Sequence, residues 1–173
     1  IVGENGSGKS TVIKLLCGLY FATEGKILIN GQDIKKFNVV SIYSKIGCVF
    51  QEFVKYPLSI KENIAISNIQ EKENQALIKE VTKKVGLDQY IEKLPDKYDT
   101  QLKREWTKGI ELSGGQWQRV AVSRCFMKDF NVLIMDEPSA SLDIMAEKQL
   151  YHNLQKLNRN NLSVFVTHRY IDP

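Results

Sequence analysis

Near its start the chain reads Gly3-Glu4-Asn5-Gly6-Ser7-Gly8-Lys9-Ser10, and this stretch decides the fold. It fits the pattern G-x-x-x-x-G-K-[ST], a glycine-rich loop whose backbone N–H groups surround phosphate oxygens. Ile1 and Val2 precede it as the end of a strand, and a helix is expected from about Lys9. The alternative, a glycine-rich turn that only caps a helix, does not account for the preceding strand.

The spacing therefore predicts a phosphate-binding loop. Lys9 would contact the β- and γ-phosphates of ATP, and the Ser10 hydroxyl would be a ligand of Mg²⁺. The expected nucleotide-binding residues of this segment are Gly3, Asn5, Gly6, Ser7, Gly8, Lys9, Ser10 and Thr11.

Two carboxylates, Asp136 and Glu137, follow the apolar run Val132–Met135. Ligands of open α/β sheets lie outside the carboxyl ends of the strands, so we expect this pair beside the phosphate loop. There Asp136 would hold Mg²⁺, and Glu137 would act as the general base that polarises the attacking water. The alternative is a surface turn, where acidic residues are common.

A second glycine-rich segment reads Leu112-Ser113-Gly114-Gly115-Gln116. Ser113 is suited to cap a helix predicted from Gln116 to about Met127. Two consecutive glycines are costly for capping alone, and they indicate that a ligand approaches the backbone. We therefore predict a second phosphate-binding helix start, formed by Ser113, Gly114, Gly115 and Gln116.

Strands alternate with helices along most of the chain, which predicts an α/β fold with a mostly parallel sheet. Ile46–Phe50 and Ser163–Thr167 read as strands, whereas Pro57 to about Glu105 reads as charged and helical. We expect an ATP-binding core of residues 1–56 and 106–173, with an inserted helical subdomain of residues 57–105. Because the chain starts and stops next to strands, we also expect it to be truncated at both ends.

The bulk composition excludes several classes of protein. The chain has 173 residues, 43% of them hydrophobic, which favours one globular domain. Its net charge of +4 comes from scattered charges, which argues against a nucleic-acid-binding surface. The printed residues contain no apolar run of about 18 residues and no pattern of a signal peptide. Cys17, Cys48 and Cys125 are widely spaced, which predicts reduced, buried thiols without pairing.

Taken together, these motifs resemble the ATP-binding-cassette family. Leu112–Gln116 stands between the phosphate loop and a strand that ends in Asp136-Glu137, as in that family. Gln51 resembles its Q-loop glutamine, the segment Ser139-Ala140-Ser141-Leu142-Asp143 its D-loop, and His168 its switch histidine. Taken alone, Gln51 and His168 would be ordinary surface residues, and Asp143 would be a helix cap.

The resemblance implies a P-loop NTPase core of RecA-like type and a Mg-dependent ATPase that works as a pair. Two such domains assemble head to tail around two ATP molecules, so Ser113 and Gly115 would contact the γ-phosphate held by the partner. Gln51 would sense Mg²⁺ and the attacking water, His168 would contact the γ-phosphate, and Asp143 would lie near the nucleotide.

Three functions are open within the family. Leu58–Ile64 and Thr167-His168-Arg169 resemble the exporter pattern, which implies a motor joined to an upstream transmembrane domain at the cytoplasmic face of the cell membrane. The alternatives are the ATPase subunit of an importer and a soluble protein of translation or DNA maintenance. We favour the exporter and expect no nucleic-acid partner.

Overall fold

A computed structural model of the chain describes residues 1–4, 6–103, 109–137, 152 and 161–167. The described residues divide into two compact units. The first consists of those in Ile1–Gln51, Asp129–Pro138 and Asn160–Pro173, and the second of those in Glu52–Lys128 and Ser139–Arg159. The predicted residues Asn5, Asp143 and His168 lie outside the described part of the chain.

The helices and strands follow the predicted alternation. The first unit contains α1 (Lys9–Leu16), β1 (Leu28–Ile29), β2 (Gln32–Asp33), α2 (Val39–Lys45), β3 (Ile46–Val49), β4 (Val132–Asp136) and β5 (Leu162–Val166). The second contains α3 (Ile60–Ala65), α4 (Gln75–Lys84), α5 (Asp88–Ile91) and α6 (Gly114–Phe126). Single 3-10 turns lie at Ile34–Lys36, Ile69–Glu71 and Lys97–Asp99.

The first unit is built on a parallel sheet, as predicted. Its strand order is β3-β4-β5, and both strand pairs are parallel. Val2 forms a parallel bridge with Thr167 immediately after β5, so the chain entering the phosphate loop lies at the free side of β5. A separate antiparallel pair, β1 and β2, turns through Asn30 and Gly31, both at positive φ as a tight hairpin requires.

Helix α1 covers one face of this sheet. Ile13 of the helix and Cys17, which directly follows it, form a buried cluster with Ile134 of β4 and Val166 of β5. Removing this apolar surface from water fixes α1 on the strands, at about 25 cal/mol per Å² buried. The helix therefore starts at the sheet edge from which the phosphate loop emerges.

The second unit is helical. Helix α6 packs on α3 and α4, and Trp117 and Val120 of α6 are buried with Ile64 and Val81. Because α6 belongs to this packing, the compact unit extends to Lys128, beyond the range of 57–105 expected for the helical subdomain. The functional division of the chain into an ATP-binding core and a helical subdomain remains a prediction.

Helix α6 starts earlier than the sequence predicted. Ser113 caps it, as expected, through a capping box: the Gln116 backbone N–H donates to the Ser113 hydroxyl oxygen at 3.3 Å, and the Ser113 backbone N–H donates to Gln116 Oε1 at 2.8 Å. This box draws Gly114 and Gly115 into the first helical turn, so the predicted start at Gln116 is wrong.

In the described part of the chain, none of the helices has both the length and the apolar character needed to cross a bilayer.

Candidate nucleotide-binding site

The register of the sheet brings three of the predicted segments to one edge. Met135 lies beside Val49 on one side and Phe165 on the other, Asp136 lies beside Val166, and Val2 lies beside Thr167. The carboxyl ends of parallel strands meet at one edge of the sheet. Gln51 and Glu137 therefore follow strands there, and Gly3 follows the parallel bridge of Val2. Two inter-strand spacings place Val2 roughly 10 Å from Asp136.

Left-handed glycines give the phosphate loop its shape. Gly6 has a φ of 81° and Gly8 a φ of 89°, both in the region that residues with a Cβ avoid. At Gly3 a Cβ would lie 2.8 Å from the Ser7 hydroxyl oxygen, so the Ser7 side chain would have to rotate away. The backbone N–H of Ser7 closes the turn by donating to the Glu4 carbonyl at 3.2 Å.

Lys9 is folded into this loop. Its ammonium group donates to the Gly3 and Glu4 carbonyl oxygens, both at 2.7 Å, and the residue is only 9% exposed. The charge is therefore held within the ring of loop backbone. A phosphate seated there would receive a positioned cation as well as backbone donors.

The start of α1 is open to an anion. Gly8 is the N-cap residue and provides no side-chain hydrogen bond to the first turn. A helix leaves its first backbone N–H groups without partners inside the helix, and the helix dipole adds partial positive charge there. Ser10 and Thr11 lie in this turn with exposed side chains.

Asp136 and Ser10 lie at the same edge and on the same face of the sheet. Residues two apart in a strand share a face, so Asp136 shares the face of Ile134, on which α1 packs through Ile13. Ser10 precedes Ile13 by about one turn. Asp136 is 3% exposed, a burial that a carboxylate tolerates when a cation or hydrogen-bond donors compensate it.

The oxygen atoms of this edge fit Mg²⁺, which prefers carboxylate, hydroxyl and phosphate oxygens. Among the described residues, no group of three or more His, Cys, Asp or Glu side chains is placed to hold a metal ion. The predicted site is of another kind, since it uses one carboxylate, the Ser10 hydroxyl and the Gln51 amide, with further ligands supplied by the phosphates.

Glu137 leaves the sheet in a strained conformation. Its φ is 50°, in the left-handed region, and its backbone N–H donates to the Val166 carbonyl at 2.9 Å. A left-handed residue other than glycine costs roughly 1–2 kcal/mol, and such residues are concentrated at functional sites. The side chain is half-buried. This backbone conformation was not predicted from the sequence.

The Ser113–Gln116 segment belongs to the second unit. Ser113 and Gly114 are exposed, and Gly115 is half-buried. Because the Ser113 oxygen accepts the Gln116 N–H, its own proton remains available for donation to an anion. The buried Trp117 indole donates to Oε1 of Glu111 at 3.2 Å. Glu111 stands just before the segment, so this bond anchors the chain that enters it.

Sequence reasoning did not single out Arg124, which organises the second unit. Its guanidinium donates to the Asn63 carbonyl at 3.0 Å, to Asn63 Oδ1 at 3.0 Å and to the Val54 carbonyl at 2.9 Å. It also lies over the Tyr56 ring, 5.2 Å from its centre. Burial lowers the pKa of Arg124 from its ordinary value, and the hydrogen bonds to these oxygens offset the cost of burying its charge.

Comparisons with known proteins show the family of the chain. A family profile described as ABC transporter matches residues 1–140. The chain is 40% identical over 171 residues to the subtilin transport ATP-binding protein SpaT of Bacillus subtilis, and 41% over 170 residues to the nisin transport ATP-binding protein NisT of Lactococcus lactis subsp. lactis. These matches cover 99% and 97% of this chain.

The chain spans only 28% of the length of each of these two relatives. Among solved structures it is similar to a bacterial Atm1-family ABC exporter with ATP bound, with a TM-score of 0.87 and 33% identity. That match covers 97% of this chain and 28% of the exporter chain. The phosphate loop, the parallel sheet and the matched profile lead to one conclusion: the chain belongs to the ABC transporter family.

Proposed function

We propose that the chain binds ATP together with Mg²⁺, hydrolyses it, and serves as the motor of an ABC exporter. The observation that carries the proposal is the sheet edge at which Gln51 and Glu137 follow parallel strands and Gly3 follows the parallel bridge of Val2 with Thr167. The similarity to subtilin and nisin transport proteins supports transport over a soluble role, and the similarity to an Atm1-family ABC exporter supports export over import.

The phosphate loop would bind the nucleotide. The Lys9 ammonium group would exchange its hydrogen bonds with the Gly3 and Glu4 carbonyls for bonds to the β- and γ-phosphate oxygens. The uncapped first turn of α1 would add backbone donors.

Glu137 would act as the general base. Its position one residue beyond Asp136 fits a carboxylate that accepts a proton from the attacking water while Asp136 and Ser10 hold the ion. When bound, Mg²⁺ would neutralise charge on the phosphates. Gln51 would orient the water and complete the ion site, and the proposed roles of Asn5, Asp143 and His168 concern residues outside the described part of the chain.

A second copy of the domain would complete each site. Ser113, Gly114, Gly115 and Gln116 form a helix start with exposed donors, a suitable partner for the γ-phosphate held by another chain. We infer a head-to-tail pair with two composite sites, joined to a transmembrane domain at the cytoplasmic face of the membrane.

Mixing two inactive variants tests the composite site. Lys9→Ala disables the phosphate loop and Ser113→Arg disables the other half-site, so each variant alone has two damaged sites. In a mixed pair both defects fall in one site and the other is intact. We expect the mixed protein to recover ATP hydrolysis that neither variant shows, and no recovery in verified mixed pairs would contradict the head-to-tail arrangement.

The coding sequence upstream of Ile1 tests the link to a membrane domain. Several apolar segments of about 20 residues each would support an exporter with its transmembrane domain on the same polypeptide. If the upstream sequence encodes only a start codon and further strands of this domain, the transmembrane domain is not on the same polypeptide.

A further inference from the structure

Two of the three cysteines, predicted to be unpaired, are neighbours in space. The Cys17 Sγ atom lies 3.7 Å from the Cys48 Sγ atom, although the residues are 31 positions apart in the chain. Cys17 directly follows α1, and Cys48 lies within β3. No disulfide joins the cysteines, all three of which are described.

The two thiols differ in exposure. Cys17 is 4% exposed and belongs to the buried cluster under α1, whereas Cys48 is half-buried at the margin of that cluster. A reagent from solution therefore reaches Cys48 first. The Cys17 sulfur, 3.7 Å away, is then within reach of an adduct formed on Cys48.

The contact also favours reaction at Cys17. The hydrogen-bond contact with Cys48 lowers the pKa of Cys17 from its ordinary value, against the opposing effect of burial. The thiolate is the species that attacks a disulfide. A bonded pair has its sulfurs about 2.05 Å apart, so a displacement of less than about 2 Å would bring these two to bonding distance.

We propose that Cys17 and Cys48 are a dithiol modification site, which a low-molecular-weight disulfide oxidises reversibly to an intramolecular bond. The bond ties the end of α1 to β3. Both elements lead to the candidate nucleotide site, because α1 starts at Lys9 and β3 ends two residues before Gln51.

The reaction balances as two exchanges. The Cys48 thiolate attacks the reagent R–S–S–R, forms a mixed disulfide and releases one R–S⁻. The Cys17 thiolate then attacks the Cys48 sulfur, forms the internal bond and releases the second R–S⁻. The protein loses two electrons and two protons, and the reagent is reduced to two thiols.

Cys125 provides a matched control. It is buried in α6, and burial raises its pKa to about 12. A thiol of this kind is almost entirely protonated at neutral pH and unreactive towards disulfides. It therefore reports whether any loss of thiol is confined to the proposed pair.

The test uses the purified full-length protein with an excess of glutathione disulfide, followed by peptide mapping without reduction. We expect the Cys17 and Cys48 peptides to be joined, the Cys125 peptide to keep its thiol, and dithiothreitol to reverse the change. In Cys17→Ser we expect a stable glutathione adduct on Cys48, and in Cys125→Ser we expect the same internal bond as in the wild type.

Two results would overturn the proposal: a wild-type adduct that stays on Cys48 while Cys17 keeps its thiol, or both thiols unreacted in excess reagent. Cys48→Ser should leave Cys17 unmodified. This second variant keeps the test decisive if Cys17→Ser does not fold. Because the mapping involves no nucleotide, its outcome is independent of the proposed function.

Discussion

The ammonium group of Lys9 donates a hydrogen bond to the Gly3 carbonyl oxygen at 2.7 Å, so the lysine of the phosphate loop is oriented by the loop itself. A second bond, to Glu4, has the same length. The cation is thus in place before any nucleotide arrives, which reduces the side-chain entropy lost on binding.

Lys9→Ala should abolish tight MgATP binding. Hydrogen bonds to charged groups are worth about 1.5–3 kcal/mol each. Losing the two bonds that Lys9 would make to the β- and γ-phosphates therefore predicts a rise in the Kd for MgATP of about 100-fold or more. Isothermal titration calorimetry measures this directly. Lys14→Ala is the matched control, since Lys14 lies on the same helix over the Tyr20 ring and should leave Kd unchanged. Equal affinities for both variants would exclude Lys9 from the site.

Arg124→Met should destabilise the protein by about 3 kcal/mol. The substitution removes the donors to Val54 and Asn63 and leaves three oxygen acceptors poorly compensated in a partly buried position. Arg124→Lys should restore little of this, because a single ammonium cannot reproduce the planar fork.

Urea unfolding of the two Arg124 variants measures the loss. Arg119→Met serves for comparison, because Arg119 lies on the same helix and donates to a single carbonyl, that of Gly86. We expect it to cost about 1 kcal/mol. If Arg124→Met unfolds at the same urea concentration as the wild type, the guanidinium does not organise this unit.

Acid should weaken the cap of α3. The Glu62 carboxylate accepts from the Ser59 hydroxyl at 2.7 Å and from the Ser59 backbone N–H at 2.9 Å, and these bonds lower the pKa of Glu62 from its ordinary value. A carboxylate whose pKa is lower in the folded state adds stability above its unfolded pKa, near 4.3, and this stability is lost as pH falls through the folded pKa.

Comparing Glu62→Gln with the wild type over that pH range isolates the effect. The stability difference between the two should be present at pH 6 and shrink below about pH 4.3. Ser59→Ala should shrink it as well, since the hydroxyl is the main cause of the lowered pKa. A difference that stays constant from pH 6 to pH 3 would show that the carboxylate is not held by Ser59.

The sequence predicted the features that depend on short spacing. Strands β3 and β4 start where they were predicted and end within one residue of the predicted ends, and Ser113 caps α6 as predicted. Local periodicity and residue type were enough for these features. The phosphate loop was recognisable for the same reason, because its whole pattern lies in eight consecutive residues.

Contacts between distant residues left no such signal. Arg124 and Asn63 are 61 positions apart, and the cysteine pair is 31 positions apart, so neither contact shows in any local pattern. A charged residue among Val120, Ala121, Val122 and Cys125, all buried, was the one available hint that Arg124 has specific partners. The left-handed φ of Glu137 was equally hidden, since nothing in the residue type favours it.

Glu137→Gln tests most directly whether Glu137 is the general base. The amide keeps the shape of the side chain but cannot accept the proton. We expect MgATP binding within about threefold of the wild type and hydrolysis lower by about a hundredfold or more. Asp129→Asn, which changes an exposed acid in the same unit, should hydrolyse ATP at the wild-type rate. Wild-type turnover in Glu137→Gln would exclude Glu137 as the general base.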